Sequence, residues 1–392
     1  MKSLAVLGSG QLARMLVEAA KNLKISMRVV SKTAESPCKS VSDDYRVVSD
    51  WTSVEVEKAL DGIDTVCIES EFLTQSEIEY LNNLNTDFIP RLDLIQLLRN
   101  KGDQKKLLKN LGIPTSDFVL SNDFSSFSDM WAFTESHLGL NFVLKKSLGG
   151  YDGNGVFFSD LEKWGSQFFA SREEFYFEKK INFVNELAVV TAKTDDEFFA
   201  FPVVVSEQVE GICKFVYGPA DRFLNGEKKK ISSIIEKINS AASKFVDSSG
   251  IRGVSAMEFF QLEEGSICVN EIAPRVHNSG HYSLLFAGRS QFDLHLLAAA
   301  EESFPIGNSE FGLFAMWNLI SPGKNHRISE KRVLELQENS PTGWDVYWYD
   351  KREARPNRKM GHVNIKIENG VNLDSLRAQL VEWENNFWRN LL

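Results

Sequence analysis

Over the first hundred positions, short apolar runs rich in β-branched residues alternate with stretches of helical period. Ser3-Leu-Ala-Val-Leu7 reads as a strand, Gln11 to Asn22 as an amphipathic helix, and Met27-Arg-Val-Val30 as a second strand. Asp64-Thr-Val-Cys-Ile68 and Asp87-Phe-Ile-Pro90 repeat the strand pattern. Strands separated by helices predict βαβ units and a parallel, Rossmann-like sheet. The character changes at Arg99, where a charged helix is expected as far as Leu111, ended by Gly112-Ile-Pro114. Strands at Asn141–Lys146 and Val156–Ser159 then bracket a glycine-rich loop. Phe175–Lys180, Glu186–Lys193 and Glu197–Val205 read as successive antiparallel strands, and Lys228–Ser248 as a helix. Gly253–Gln261 and Ser266–Asn270 form a predicted hairpin over the turn Glu263-Glu264-Gly265, before a helix at Ser290–Glu301. The remainder adds a few strands and a terminal helix, with no repeat and no low-complexity linker.

A chain of 392 residues exceeds what one core usually supports, so two or three tightly packed lobes are expected. Hydrophobic and charged contents of 43% and 25% are those of a soluble globular protein. Forty-four basic against 54 acidic residues leave a net charge of −10, which disfavours nucleic acid as a partner. The four widely spaced cysteines make no metal or redox motif and read as reduced thiols. No apolar stretch reaches membrane-spanning length, and the N-terminus enters a strand at once, so a cytoplasmic location is expected.

Four motifs carry chemistry. Asn270-Glu-Ile-Ala-Pro-Arg-Val-His-Asn-Ser-Gly-His281 is too polar for a core segment, since each buried polar group would need a partner. It reads as the wall of a site, with Asn270 and Glu271 toward a metal and Arg275, His277, Asn278 and His281 toward a polar substrate. Glu258, in the apolar run Ser255-Ala-Met-Glu-Phe-Phe260, sits on the partner strand of Glu271. If the hairpin turns both carboxylates to one face, they repel unless a cation lies between them, and magnesium with a nucleotide is the candidate. Gly149-Gly-Tyr-Asp-Gly-Asn-Gly155 can expose backbone N–H groups over phosphates, with Lys145 and Lys146 just upstream. Gly8-Ser-Gly-Gln-Leu-Ala13 matches the dinucleotide turn, but strand two ends Val30-Ser31-Lys32, without the acid a nicotinamide ribose requires. That turn therefore holds another phosphate-bearing ligand or is purely structural. Lys351, Arg352, Arg355, Arg358 and Lys359 crowd nine positions of an acidic chain and suit a phosphomonoester.

Taken in order, these motifs resemble the ATP-grasp superfamily and, within it, the 5-(carboxyamino)imidazole ribonucleotide synthases of purine biosynthesis. Gly8–Met15, Gly149–Gly153, Asn270–His281 and Arg355–His362 carry the resemblance, which covers nearly the whole chain. It implies an ATP-grasp fold of mixed α/β and α+β character. Residues 1–98 would be a Rossmann-like lobe and 99–297 the ATP-grasp domain, with a lid lobe over about 112–180; 298–392 would be an antiparallel-sheet lobe completing the substrate site. It implies a ligase that phosphorylates bicarbonate with ATP and two magnesium ions and captures the carboxyphosphate with 5-aminoimidazole ribonucleotide, in a homodimer.

Roles follow residue by residue. Lys101 and Lys145 would contact ATP phosphates under a loop comprising Gly150, Tyr151, Asp152, Gly153, Asn154, Gly155 and Val156. Glu178, Lys179, Lys180 and Ile181 would line the adenine pocket, Glu186 would take the ribose, and Gln208 would lie near the nucleotide. Glu258 and Glu271, helped by Asn270, would hold magnesium. Gln11, Leu12, Tyr151, Asp152, Arg275, His277, Asn278 and Ser279 would face the second substrate, with Glu69 and Glu71 at its aminoimidazole end. Lys351, Arg355, Arg358 and Lys359 would bind its phosphate. Arg275, Lys145, Tyr151 and Asp152 would carry the chemistry. Ala13, Lys101, Gln208 and Asn154 depart from the family pattern, which more often has glycine, arginine, histidine and a cation there. Another ATP-grasp ligase, such as a formate-dependent glycinamide ribonucleotide transformylase or a biotin carboxylase, and a catalytically silent nucleotide-binding protein are the alternatives.

Overall fold

The structure is a computed structural model and describes residues 2–150, 154–286, 289–305, 311–323 and 326–391. Among these residues the strands form four sheets. The first is the expected parallel sheet. Leu4–Leu7 lies at its centre between Met27–Ser31 and Thr65–Ile68, with Asp44–Val47 and Asp87–Ile89 at the edges. All four residues of Leu4–Leu7 are buried, as a parallel strand covered on both faces requires. The edge strand Asp44–Val47 was not foreseen: its four residues are half-buried or exposed and give no apolar alternation.

The helix expected over Arg99–Leu111 is found at Lys101–Asn110, and a short helix that was not foreseen, Leu92–Leu98, precedes it. Asn100 separates them by capping the second, its Oδ1 accepting from the N–H of Gly102 at 2.9 Å and of Asp103 at 3.2 Å. Beyond this helix lies a small antiparallel sheet in the order Phe118–Leu120, Phe175–Lys179, Phe142–Lys146, Val156–Phe157. Its core is largely aromatic, with Phe142, Phe168, Phe175 and Phe177 buried together. Phe175–Lys179 therefore belongs to this sheet and does not pair with the next strand, Asn185–Lys193, as the sequence suggested.

Asn185–Lys193 enters a nine-stranded antiparallel sheet. Its order is Ile267–Ala273, Gly253–Gln261, Asn185–Lys193, Val204–Val209, Ile212–Gly218, Leu313–Ile320, Lys359–Ile367, Trp344–Trp348, with Phe198–Ala200 alongside Asn185–Lys193. The run expected at Glu197–Val205 is split around Pro202, which lacks the N–H a ladder needs. The last quarter of the chain joins edge-on through Phe215↔Trp317 and its neighbours, so one sheet runs through both regions. One face, including Leu187, Val189, Met257, Phe259 and Val269, packs with Ile234, Ile238 and Phe245 of helix Lys228–Ser249 and Leu380 and Trp388 of helix Leu373–Leu391. The other face, with Ala188, Val190, Val254 and Ala256, packs with residues of helices Gln291–Ala299 and Gln11–Leu23 and so joins the central sheet to the parallel lobe.

Candidate active site

The predicted hairpin pairs Glu258 directly with Glu271. Ile267 and Val269 face the packed core, and by simple alternation Glu271 would follow them there. A β-bulge prevents this. The register passes from Phe259↔Val269 to Glu258↔Glu271, so Asn270 is an extra residue. Parity switches at that point, Ile272 takes the core position, and Glu271 turns to the face of Glu258. Glu186 joins them from the neighbouring strand, in register with Phe260 and two positions from Ala188↔Glu258. Three carboxylates thus share one face at one end of the sheet.

Their electrostatics differ. Burial, followed by the charges of Glu271 and Glu186, pushes the Glu258 carboxyl up to about 7, against the pull of Lys101 and Lys359. Burial likewise raises Glu186 to about 7, opposed by a hydrogen bond from Gln208 and the charge of Lys145. Lys101, first residue of its helix, reaches Glu271 Oε2 at 2.8 Å. Lys145 spans Glu178 at 2.5 Å and Asn270 Oδ1 at 3.3 Å. Among the described residues no group of three His, Cys, Asp or Glu side chains is arranged as a metal site. The oxygen donors of Glu258, Glu271 and Asn270, with unrelieved repulsion between the carboxylates, nevertheless fit a hard divalent cation accompanied by a nucleotide.

Glu178 lies 2% exposed at the root of the lid, between Lys105 at 2.6 Å and Lys145 at 2.5 Å, and also accepts a hydrogen bond from Ser116 Oγ. Burial opposes its charge, but the two ammonium groups win and hold the carboxyl well below its usual range. Lys105 was missed from the sequence. Its spacing of four from Lys101 on one helix, facing the same cleft, was the available signal. The N–H groups of Lys179 and Lys180 donate to Asp117 O and Asn141 O, tying this stretch to the lid. The stem of the glycine loop is close by: a Cβ on Gly150 would sit 3.6 Å from Lys101 Nζ. Asn154 is exposed, while Val156 pairs with Lys145. Tyr151, Asp152 and Gly153 lie outside the described residues. Lys146 turns away onto Glu173, at 2.7 Å.

Arg275 holds Glu71 through Nε and, at 2.9 Å, through Nη2, while its Nη1 donates to Val276 O. His277 follows it in the same segment. Ser279 N–H donates to its Nδ1 at 3.3 Å, which puts the ring proton on Nε2, 3.7 Å from Glu258. Burial, then the charges of Arg275 and Lys359, lower His277 to about 3, so it is neutral. Asn278 and Asn318 exchange hydrogen bonds of 3.0 and 2.7 Å, and Ser279 is almost fully buried. His281, expected to meet a substrate, is instead fully buried beneath this wall, against the Gln291 amide and the ring of His362.

Across the cleft, Lys351 Nζ donates to Gln11 Oε1 at 2.7 Å and to Lys359 O, joining the basic loop to the first glycine turn. Arg358 Nη1 bonds Glu353 O at 2.9 Å, and burial with the nearby Arg355 charge lowers its pKa. Arg355 is exposed beside Glu353, and Arg352 is drawn off to Glu35. The turn itself is filled. Glu69 accepts from Gly10 N–H at 2.8 Å and Ala13 N–H at 3.4 Å, beside the partly buried Leu12. A Cβ on Gly8 or Gly10 would come within 2.3 Å of a Glu69 oxygen. The glycines thus admit an internal carboxylate to the helix N-terminus, which favours the purely structural of the two readings of this turn.

Three regions of the chain match known protein families. Residues 1–98 match the ribonucleotide synthetase preATP-grasp domain, 106–292 the ATP-grasp domain, and 315–375 the phosphoribosylaminoimidazole carboxylase C-terminal domain. N5-carboxyaminoimidazole ribonucleotide synthase of Synechococcus elongatus is 32% identical over 95% of this chain and 91% of its own. Phosphoribosylaminoimidazole carboxylase of Saccharomyces cerevisiae is 32% identical over 93% of this chain, which spans 63% of that longer protein. The solved carboxyaminoimidazole ribonucleotide synthase of Aspergillus clavatus, complexed with ATP, superposes with a TM-score of 0.84 at 30% identity, covering 98% of this chain and 99% of that one. A second structure from that organism, with ADP and 5-aminoimidazole ribonucleotide, gives 0.83 at 28% identity over 98% and 99%. The chain belongs to the N5-carboxyaminoimidazole ribonucleotide synthase family of ATP-grasp ligases.

Proposed function

We propose that this protein carboxylates the 5-amino group of 5-aminoimidazole ribonucleotide with bicarbonate and ATP, giving 5-carboxyaminoimidazole ribonucleotide, ADP and phosphate. The observation that carries this reading is the shared face of Glu258 and Glu271, flanked by Lys101 and Lys145 on one side and Arg275 and His277 on the other. A bicarbonate oxygen attacks the γ-phosphorus, the bond to ADP breaks, and carboxyphosphate forms. The amine nitrogen then attacks its carboxyl carbon, the carbon–oxygen bond to phosphate breaks, and the amine proton leaves with the phosphate. Phosphoryl transfer of this kind depends on positioning and charge neutralisation.

Lys101 and Lys145 bind the phosphates, and Glu186 with Gln208 takes the ribose beside the Glu178–Ile181 stretch. Glu258, Glu271 and Asn270 would hold magnesium, which supplies neutralising charge at the phosphates when bound. Arg275, immobilised by Glu71, keeps up to two N–H donors for the bicarbonate-derived group. Gln11, His277, Lys351 and Lys359 border the second substrate, its phosphate toward the basic loop that includes Arg355 and Arg358. Gly150 and Val156, the described stems of the glycine loop, stand beside Lys101 and Lys145, and excluding water from the mixed anhydride is the task this reading requires of that end of the site.

A homodimer acting in the cytoplasm belongs to this reading. Four buried free cysteines fit a reducing compartment, and no described helix is long and apolar enough to cross a membrane. The test is ADP release measured with each of 5-aminoimidazole ribonucleotide and bicarbonate withheld in turn. ADP release that depends on both supports the proposal, and release indifferent to both overturns it.

A further inference from the structure

The segment from Glu271 to His277 is gripped at both ends in the same way. Near its start, the buried Gln104 pairs with both sides of one peptide residue: its Oε1 accepts from Ile272 N–H at 3.0 Å, and its Nε2 donates to Ile272 O at 2.9 Å. At its end, the fully buried Gln291 does the same for His277, accepting from its N–H at 2.8 Å and donating to its C=O at 2.7 Å. Gln104 thus pairs with the strand Ile267–Ala273 at Ile272, on the side away from Gly253–Gln261, and Gln291 pairs in the same way with the extended residue His277 beyond the strand.

The second grip is built into its surroundings. Ser290 and Asp293 form a capping box that fixes Gln291 as the first residue of its helix. Ser283 Oγ accepts from Gln291 N–H at 2.9 Å and donates to Gly280 O at 2.6 Å, and the Gln291 amide also reaches His281 Nδ1 at 3.1 Å. The 277–283 turn is wrapped around this one side chain, and a Cβ on Gly280 would lie 2.7 Å from its oxygen. That wrapping leaves His277 with its Nδ1 accepting from Ser279 and its Nε2–H directed at Glu258.

We propose that Gln291 and Gln104 are positioning residues that divide this segment functionally. Gln291 fixes His277 for the aminoimidazole substrate, and Gln104 fixes Glu271 for the metal–nucleotide. The inference rests on the function proposed above. It predicts that Gln291→Met raises the KM for 5-aminoimidazole ribonucleotide by roughly 5- to 100-fold, the factor expected from leaving a buried peptide group unpaired, with the KM for ATP moved less than about twofold. Gln104→Met does the reverse. In a His277→Ala background, Gln291→Met costs little more, because its effect passes through His277. Gly280→Ala displaces the Gln291 amide without removing any polar group and gives the same KM split.

Wild-type ADP release must first depend on both co-substrates; failure there overturns the functional reading alone. If that dependence holds and thermal melts show the variants folded, equal changes in both KM values overturn the positioning role. So does a Gln291→Met loss undiminished in the His277→Ala background. Should Gln291→Met fail to fold, Gly280→Ala decides the matter: an unchanged substrate KM in that variant also overturns it.

Discussion

Two carboxylates of the proposed nucleotide site behave in opposite ways. Glu178 is buried and Glu258 half-buried, yet desolvation is overruled at the first and prevails at the second. Glu178 has two ammonium groups within 2.6 Å of its oxygens. Glu258 faces Glu271 across the hairpin and Glu186 on the adjacent strand, while Lys101, whose charge favours its ionised form, is engaged on Glu271. A carboxylate satisfied by the protein stabilises the fold. One left unsatisfied weakens the unliganded fold and is open to a cation brought from outside. Proximity to a proposed active site does not distinguish these cases; the count of opposing charges does.

The contrast is most easily broken at Glu178. Glu178→Gln leaves Lys105 buried without a countercharge, and thermal or denaturant unfolding should show a loss of about 3–5 kcal/mol. Adding Lys105→Met should recover part of it, and equal stability of the single and double variants would show that the pair is not coupled. Glu258→Gln or Glu271→Gln should lower ADP formation by roughly 10²–10³-fold, as loss of a preorganised electrostatic contact does. Glu258→Gln should simultaneously stabilise the unliganded protein at pH 8, by on the order of 1–2 kcal/mol. Near wild-type turnover in either variant would remove them from the proposed metal site.

A pH series sharpens the same difference. The raised carboxyls of Glu258 and Glu186 favour the fold when protonated, so their contribution is full below about 4.5 and is lost as pH rises through about 7. Glu178 is lowered, so its contribution is present above about 4.5 and falls away only in acid. Magnesium–ADP, relieving Glu258, should therefore raise the melting temperature more at pH 8 than at pH 6; equal shifts would contradict the assignment. At the basic loop, Arg355→Ala with Lys359→Ala should raise the KM for 5-aminoimidazole ribonucleotide far more than that for ATP, by about 1.5–3 kcal/mol per lost charged contact, with Lys359 the larger contributor because Arg355 is exposed. The smallest effect is expected at Asn154. It is exposed, so Asn154→Lys should change kcat by no more than about fivefold.

The sequence revealed most of this architecture where local pattern and tertiary demand coincide. The parallel lobe, the long helix ending at Ser249 and the Glu258–Glu271 hairpin follow from apolar periodicity and turn residues. It was silent where a distant partner decides. Nothing near Gly8 announces that Glu69 fills its turn, and nothing around Asp44–Val47 marks an exposed edge strand. His281 has the composition of a site residue, but its burial depends on Gln291 and on His362 from a strand eighty residues away. Lys105 and Gln104 were hidden in a helix that reads as merely charged and soluble, although two buried contacts with the hairpin depend on that face.

The extra residue in the Ile267–Ala273 strand makes the site a matter of odd and even. Everything upstream of Asn270 is counted in one parity and everything from Glu271 onward in the other. Substituting Asn270 alters one donor, and deleting it leaves Glu271 on its own face; one residue added between Asn270 and Glu271 sends Glu271 toward Phe259 and Val269, with Ile272 moved to the face of Glu258. A family alignment would score that insertion as a single gap, the mildest of edits by length. For this hairpin it is a frameshift in space, in which every letter is kept and every side chain is read on the wrong face.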